Sequence, residues 1–315
     1  MRDIAIFAGS AHPQLAADIC EHLSVPLHPV RVQRFANDCL EVQLQANCRE
    51  RDVYLVQPLV PPVQENLVEL LLMLDAARGA SAARTTVVMP HFAYARSDKK
   101  DAPRISIGAR LVADLLATSG ADRVLAVTLH SPQVHGFFSV PVDHLNALQV
   151  LAGHFRAVAD LSNAVVVSPD LGNAKEAAAL ARLLGVEVAA GAKQRFSDDK
   201  VVINSVIGDV AGRDAIVLDD EIAKGSTVFE LIDRLRERGV ASIRVACTHG
   251  LFAGDATRRL QEQPDVLEVV TTNTVPIGAD KFVPKLTVLS IAPALAETIR
   301  RIHNGESVSR LFHDH

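Results

Sequence analysis

In the last third of the chain, three apolar residues run into two adjacent acids, Ile216-Val217-Leu218-Asp219-Asp220. Glu221 and Ile222 follow, then Ala223-Lys224-Gly225-Ser226-Thr227, a short loop that opens onto a helical pattern. Small residues at a helix start present backbone N–H groups and a positive dipole end to an anion. Adjacent carboxylates just ahead of them can accept hydrogen bonds from sugar hydroxyls or hold a metal. Together these residues describe a cradle for ribose 5-phosphate. The plainer alternative is an ordinary strand-to-helix turn with an Asp cap.

Other clusters also follow apolar runs. Arg96, Ser97, Asp98, Lys99, Lys100 and Arg104 form a cationic stretch after the run ending at Met89. It could hold a triphosphate, or it could be a solvated charge run. Thr128-Leu129-His130-Ser131 offers one imidazole as a metal or phosphate contact, or as a structural histidine. Ser168-Pro169-Asp170-Leu171-Gly172-Asn173 offers one acid at another strand end. Lys193-Gln194-Arg195, beside Gly191 and the polar residues 197–200, reads as an exposed loop. Phe35-Ala36-Asn37-Asp38 puts an aromatic ring beside an amide, a pair that can stack on a base and hydrogen-bond to it.

The elements that carry these clusters alternate. Strand patterns at 3–8, 53–57, 85–89 and 123–128 are separated by helical patterns at 13–23, 62–78 and 108–118. The rhythm resumes with strands at 164–167, 214–218, 240–247 and 267–271 and helices at 172–184 and 227–238. Strand–helix alternation with unbroken apolar strands argues for α/β architecture with parallel sheets covered on both faces. A boundary falls near 145–160: we expect one domain over 1–147 and another over 148–292. The last helical pattern, within 293–315, is expected to return to the first.

The 315 residues, about two domains' worth, are 49% hydrophobic and 22% charged, a globular balance. The net charge of −5 gives no basic footprint for nucleic acid. Mean hydropathy is +0.18, but no apolar run approaches the roughly 20 residues of a membrane span. Met1-Arg2-Asp3 and the short run after it do not make a signal-peptide pattern. Cys20, Cys39, Cys48 and Cys247 are scattered, which disfavours a zinc site or a disulfide framework and suits a reducing cytoplasm.

Read end to end, the chain resembles the ribose-phosphate pyrophosphokinase family. The resemblance rests on Phe7-Ala8-Gly9-Ser10, residues 64–70, 92–100 and 120–125, Gly136-Phe137-Phe138 and Pro141-Val142-Asp143-His144-Leu145. It extends through Val167-Ser168-Pro169-Asp170, the Asp219 loop, Thr248-His249-Gly250-Leu251-Phe252 and the tail from Glu306 to Phe312. It implies two similar phosphoribosyltransferase-type α/β domains, a homo-oligomer built from dimers or a hexamer, and transfer of the β,γ-diphosphoryl group of ATP to ribose 5-phosphate with Mg²⁺. It assigns the phosphate to Ala223, Lys224, Gly225, Ser226 and Thr227, and the ribose hydroxyls to Asp219 and Asp220. ATP falls to Phe35, Asn37, Arg96, Ser97, Asp98 and Lys99, and the metal–phosphate positions to His130 and Asp170. Lys193 and Arg195 match the cations of a catalytic loop.

The chain departs from the family pattern at several positions. Asp38-Cys39 replaces Gly-Glu, Thr128 replaces Asp, and Ser97 replaces Gln. Asn47, Gly108 and His135 stand at positions tied to phosphate and ADP control. These changes leave nucleotide choice, metal affinity and regulation open. A catalytically weak partner subunit and a phosphoribosyltransferase are the alternative readings.

Overall fold

Val, Ile, Leu and Ala supply strands that are buried along most of their length, and these organise the computed structural model, which describes residues 3–195 and 201–309. The chain divides into two units. One comprises Met1–Asn146, Thr274–Pro276 and Ile291–His315; the other comprises Ala147–Asn273 and Ile277–Ser290.

The first unit runs β1 (Ile4–Ala8), α1 (Pro13–Leu23), β2 (Leu27–His28), β3 (Val30–Arg34), β4 (Leu40–Leu44), β5 (Asp52–Val56), α2 (Val63–Gly79), β6 (Arg84–Met89), α3 (Gly108–Ser119), β7 (Arg123–Val127) and β8 (Val142–Leu145). Its main sheet has the order β2-β1-β5-β6-β7-β8, and every neighbouring pair is parallel. Helix α2 buries Leu67, Leu70, Leu74 and Ala77, the three-and-four spacing of a core-facing stripe. Strands β3 and β4 form a separate antiparallel hairpin. The sequence pattern missed it, because Val30-Arg31-Val32-Gln33-Arg34 alternates polar and apolar residues without being buried.

The second unit runs α4 (Leu148–Val158), β9 (Ala164–Ser168), α5 (Ala174–Leu184), β10 (Glu187–Arg195), β11 (Val201–Ile207), β12 (Asp214–Ile222), α6 (Ser226–Glu237), β13 (Ser242–Gly250), α7 (Ala256–Glu262), β14 (Val266–Thr272) and β15 (Leu286–Leu289). The sheet order is β11-β10-β9-β12-β13-β14-β15, parallel except for the antiparallel β10–β11 pair. One core lies under α4 and α5 and another under α6 and α7. Chain order reverses between β9 and β12: α5 leads from β9 to β10, and α6 leads from β12 to β13. Such a switch point opens a crevice at the carboxyl ends of its strands, where ligands of open α/β sheets bind.

Helix α8 (Ala292–Asn304) belongs to the first unit and packs on α1. Its anchor is Asp52, 2% exposed. Asp52 accepts hydrogen bonds from Arg84, from the Tyr54 hydroxyl at 3.1 Å and from His303 Nδ1 at 2.8 Å. Burial alone would raise its pKa; the bonds from Arg84 and His303 outweigh that and hold it below the usual carboxylate value.

Candidate active site

The second unit gathers Asp219, Asp220 and the 223–227 loop at its switch point. The β9–β12 ladder stops at the Val167–Val217 pair, while β12 continues beside β13 as far as Ile222. Asp219 and Asp220 are therefore half-buried strand residues, and the strand runs four residues beyond the expected end at Leu218 because β13 goes on pairing with it. The Asp220 N–H donates to Asp219 Oδ1 at 2.9 Å. Cys247 lies opposite Asp219 and is fully buried, which pushes its thiol up to about 12. It stays protonated and is no nucleophile.

After Ala223 and the exposed Lys224, Gly225 takes φ +77 and caps α6, whose first residues are Ser226 and Thr227. A Cβ at Gly225 would lie 3.0 Å from the Phe229 ring, and Arg259 stacks over that ring at 3.8 Å. Glycine offers no capping side chain, so this helix start is suited to an outside anion. The loop is braced from below. Phe252 N–H donates to the Ile222 carbonyl at 2.9 Å, Ala253 N–H to the Ala223 carbonyl at 3.0 Å, and Lys281 Nζ to the Leu251 carbonyl at 2.6 Å.

Asp170 ends the turn after β9, and its Oδ1 accepts the Asn173 N–H at 3.0 Å. That turn also delays α5, which begins at Ala174 and not at the expected 172. The exposed loop expected at Lys193-Gln194-Arg195 is corrected at the backbone: all three continue β10, in register with Ile203, Val202 and Val201 of β11. Antiparallel pairing overrides the polar composition on which the loop expectation rested. The polar residues 197–200 and the tail residues Arg310-Leu311-Phe312 lie outside the described residues.

The first unit carries the other set. Phe35 is 43% exposed on the β3–β4 turn. The turn is closed by Phe35 N–H to the Cys39 carbonyl and by Cys39 N–H to Asn37 Oδ1 at 3.3 Å. Arg34 ion-pairs with Glu65 in the first turn of α2, which holds the hairpin at the carboxyl end of the sheet. At that same end, Arg96 closes a 3-10 turn, and Ser97, Asp98 and Lys99 lead into the loop before α3. Lys99 reaches Asp101 at 3.5 Å, an exposed pair of little energetic weight. His130 is exposed beyond the neighbouring strand β7.

Residues 4–120 match the family model for the N-terminal domain of ribose phosphate pyrophosphokinase, and residues 193–313 match the phosphoribosyl synthetase-associated domain. A Streptomyces coelicolor protein that carries the pyrophosphokinase name provisionally is 77% identical over 312 residues, covering 99% of this chain and 98% of its own. The Deinococcus radiodurans ribose-phosphate pyrophosphokinase is 48% identical over 313 residues, covering 98% of each. The crystal structure of phosphoribosylpyrophosphate synthetase from Mycobacterium smegmatis superposes with a TM-score of 0.91 at 41% identity, covering 96% of this chain and 100% of that one. The chain belongs to the ribose-phosphate pyrophosphokinase family.

Asp38, Ser97, Gly108 and Thr128, where the sequence departs from the pyrophosphokinase pattern, have distinct local environments. Asp38 stands at φ +71, a conformation natural to Gly and tolerated by Asp, and it pairs with Arg34. Ser97 and Gly108 are in direct contact. Ser97 Oγ accepts the Gly108 N–H at 2.9 Å, and a Cβ at 108 would stand 2.9 Å from that oxygen. Thr128 does not extend β7 as expected. It turns to φ +41, a strained conformation for a β-branched residue, and its N–H donates to the Leu145 carbonyl at 2.7 Å. The next N–H, of Leu129, donates to His144 Nε2 at 2.8 Å. Reading the residues alone missed His144 as a support for the His130 turn, because the link spans 15 residues.

Proposed function

We propose that the chain transfers the β,γ-diphosphoryl group of ATP to the C1 hydroxyl of ribose 5-phosphate. The C1 oxygen bonds to the β-phosphorus, the bond from that phosphorus to the α,β-bridging oxygen breaks, and AMP leaves with the bridging oxygen. The hydroxyl proton passes to solvent. Phosphoryl-type transfer asks the protein for positioning and charge neutralisation more than for covalent help.

The observation that carries this reading is the succession of Asp219, Asp220 and a glycine-capped α6 at the switch point of the second unit. Asp219 and Asp220 accept hydrogen bonds from the ribose hydroxyls, and residues 223–227 take the 5-phosphate. Lys193 and Arg195 neutralise charge that develops on the transferring group. In the first unit, Phe35 and Asn37 receive adenine, and Arg96, Ser97, Asp98 and Lys99 receive the triphosphate.

Mg²⁺ is the proposed cation, and when bound it supplies charge neutralisation on the phosphate oxygens. It prefers oxygen ligands, keeps several waters and needs only one or two carboxylates beside substrate phosphates. Asp170 fits that demand. Among the described residues no group of three or more His, Cys, Asp and Glu makes a protein cage. His130 fits a phosphate oxygen better than the hard metal. Among the described residues no helix is long and apolar enough to cross a membrane. Exposed Val68, Leu111 and Leu115 on α2 and α3 support assembly as a homo-oligomer.

Titration calorimetry with ribose 5-phosphate tests the cradle. The wild-type chain should bind it, and Asp220→Ala should weaken binding about tenfold or more, the loss of a charged hydrogen-bond partner. Equal affinity in both proteins contradicts the assignment.

A further inference from the structure

We propose that Asn173 is a positioning residue for the ribose-phosphate site, tying the Asp170 turn to the end of β12. The proposal rests on the roles given above to Asp170, Asp219 and Asp220. The β9–β12 ladder ends at the Val167–Val217 pair. Continued by one step, that register sets Leu218 opposite Ser168. The next residue along is Pro169, which has no N–H to give to a carbonyl on β12. Asn173 makes up the missing donor: its Nδ2 donates to the Leu218 carbonyl at 2.9 Å. Its own backbone N–H donates to Asp170 Oδ1 at 3.0 Å. One residue thus holds the Asp170 carboxylate through its main chain, and the strand entering Asp219-Asp220 through its side chain.

The helix forgoes something for this arrangement. Asn173 is the N-cap of α5, where an Asn oxygen normally accepts an N–H from the first turn. No such bond is made here. The side chain is diverted from capping its helix to closing the gap between two strand ends. The other flank of the turn is equally constrained. A Cβ on Gly191 in β10 would stand 2.7 Å from the Pro169 carbonyl oxygen, so only glycine lets the turn lie this close. Ser168 Oγ closes the turn from within, donating to the Asp170 carbonyl at 2.6 Å. The Asp170 turn is therefore set between β10, two residues before Lys193, and β12, one residue before Asp219. The Asn173 amide makes the connection on the β12 side.

Without that amide, the Asp170 turn and the Asp219 strand end lose their common reference. Ribose 5-phosphate binding and Mg²⁺ saturation should both loosen, while ATP use, assigned to residues of the first unit, should not. The test compares wild type, Asn173→Ala and Asn173→Asp. The Asp variant keeps the size and the turn but cannot donate to a carbonyl. Three readouts are needed: calorimetric affinity for ribose 5-phosphate without metal, the Mg²⁺ concentration for half-maximal activity, and the KM for ATP. Thermal melts report whether each variant is folded.

Both variants should weaken ribose 5-phosphate binding by about fivefold, the worth of one net hydrogen bond. They should raise the Mg²⁺ requirement in parallel and leave the ATP KM unchanged. If affinity and Mg²⁺ requirement stay put, or if all three constants worsen together with the melting temperature, Asn173 is only a structural residue and the proposal is overturned. Asp220→Ala and Asp170→Asn run alongside. If they shift their constants while the Asn173 variants do not, the proposal alone falls. If they too shift nothing, the site reading falls and takes the proposal with it.

Discussion

His144 shows how one ring can set a local structure and a pH dependence together. Burial, with His135 nearby, lowers its pKa to about 4, and its neutral Nε2 accepts the Leu129 N–H ahead of His130. Unfolded, the ring titrates near 6.5, so between these values the unfolded chain binds more protons. Stability is then full above about 6.5 and lost as pH falls toward about 4, by up to roughly 1.4 kcal/mol per pH unit. Melts at stepped pH should show that slope, and His144→Asn should flatten it; an unchanged slope contradicts the role. Lys193 belongs to the same scale but to chemistry. A cation useful only in the transition state lowers kcat and kcat/KM together. Lys193→Ala should cost about two to three decades in kcat, or ~3–4 kcal/mol, with the KM for ribose 5-phosphate little changed. Steady-state kinetics check this, and a rise confined to KM contradicts it.

At the scale of elements, the 223–227 loop, proposed above to take the phosphate, depends on one backbone conformation. Gly225 sits at φ +77 with the Phe229 ring 3.0 Å from where a Cβ would stand. Gly225→Ala should cost about 1 kcal/mol or more of stability from the left-handed conformation. It should also weaken ribose 5-phosphate binding beyond what the melting temperature explains. A variant that melts lower but binds normally would separate the loop from the phosphate. This loop was legible in the sequence because strand, acids, glycine and helix are contiguous. The buried parallel strands were legible for a related reason: Val165, Val166 and Val167 need no alternation when both faces are covered. The β3–β4 hairpin was not, since its strands alternate exposed polar with only half-buried apolar residues and lie outside the main sheet. Nor was the strand character of Lys193-Gln194-Arg195, which comes from pairing with β11. Asn173 and His144 act through hydrogen bonds to Leu218 and Leu129, 45 and 15 residues away, and no local pattern announces such links.

At the scale of the molecule, each unit is an α/β sheet, and the candidate site residues follow the carboxyl ends of its strands. The expectation of α/β units rested on strand–helix rhythm, and that of two phosphoribosyltransferase-type folds on the family resemblance. The sheets make the rhythm concrete: each has a parallel ladder and a point where chain order reverses. The chain also returns to its first unit at Ile291–His315, where Asp52 holds α8 through Arg84, Tyr54 and His303. The reaction proposed for the chain uses one nucleotide and one sugar phosphate, with a diphosphoryl group transferred from the first to the second. The measurement that tests this most directly is the stoichiometry of products. Purified protein with ATP, ribose 5-phosphate and Mg²⁺, followed by phosphorus NMR, should give phosphoribosyl diphosphate and AMP in equal amounts. ADP in place of AMP, or no consumption of ribose 5-phosphate at all, would contradict diphosphoryl transfer by this chain.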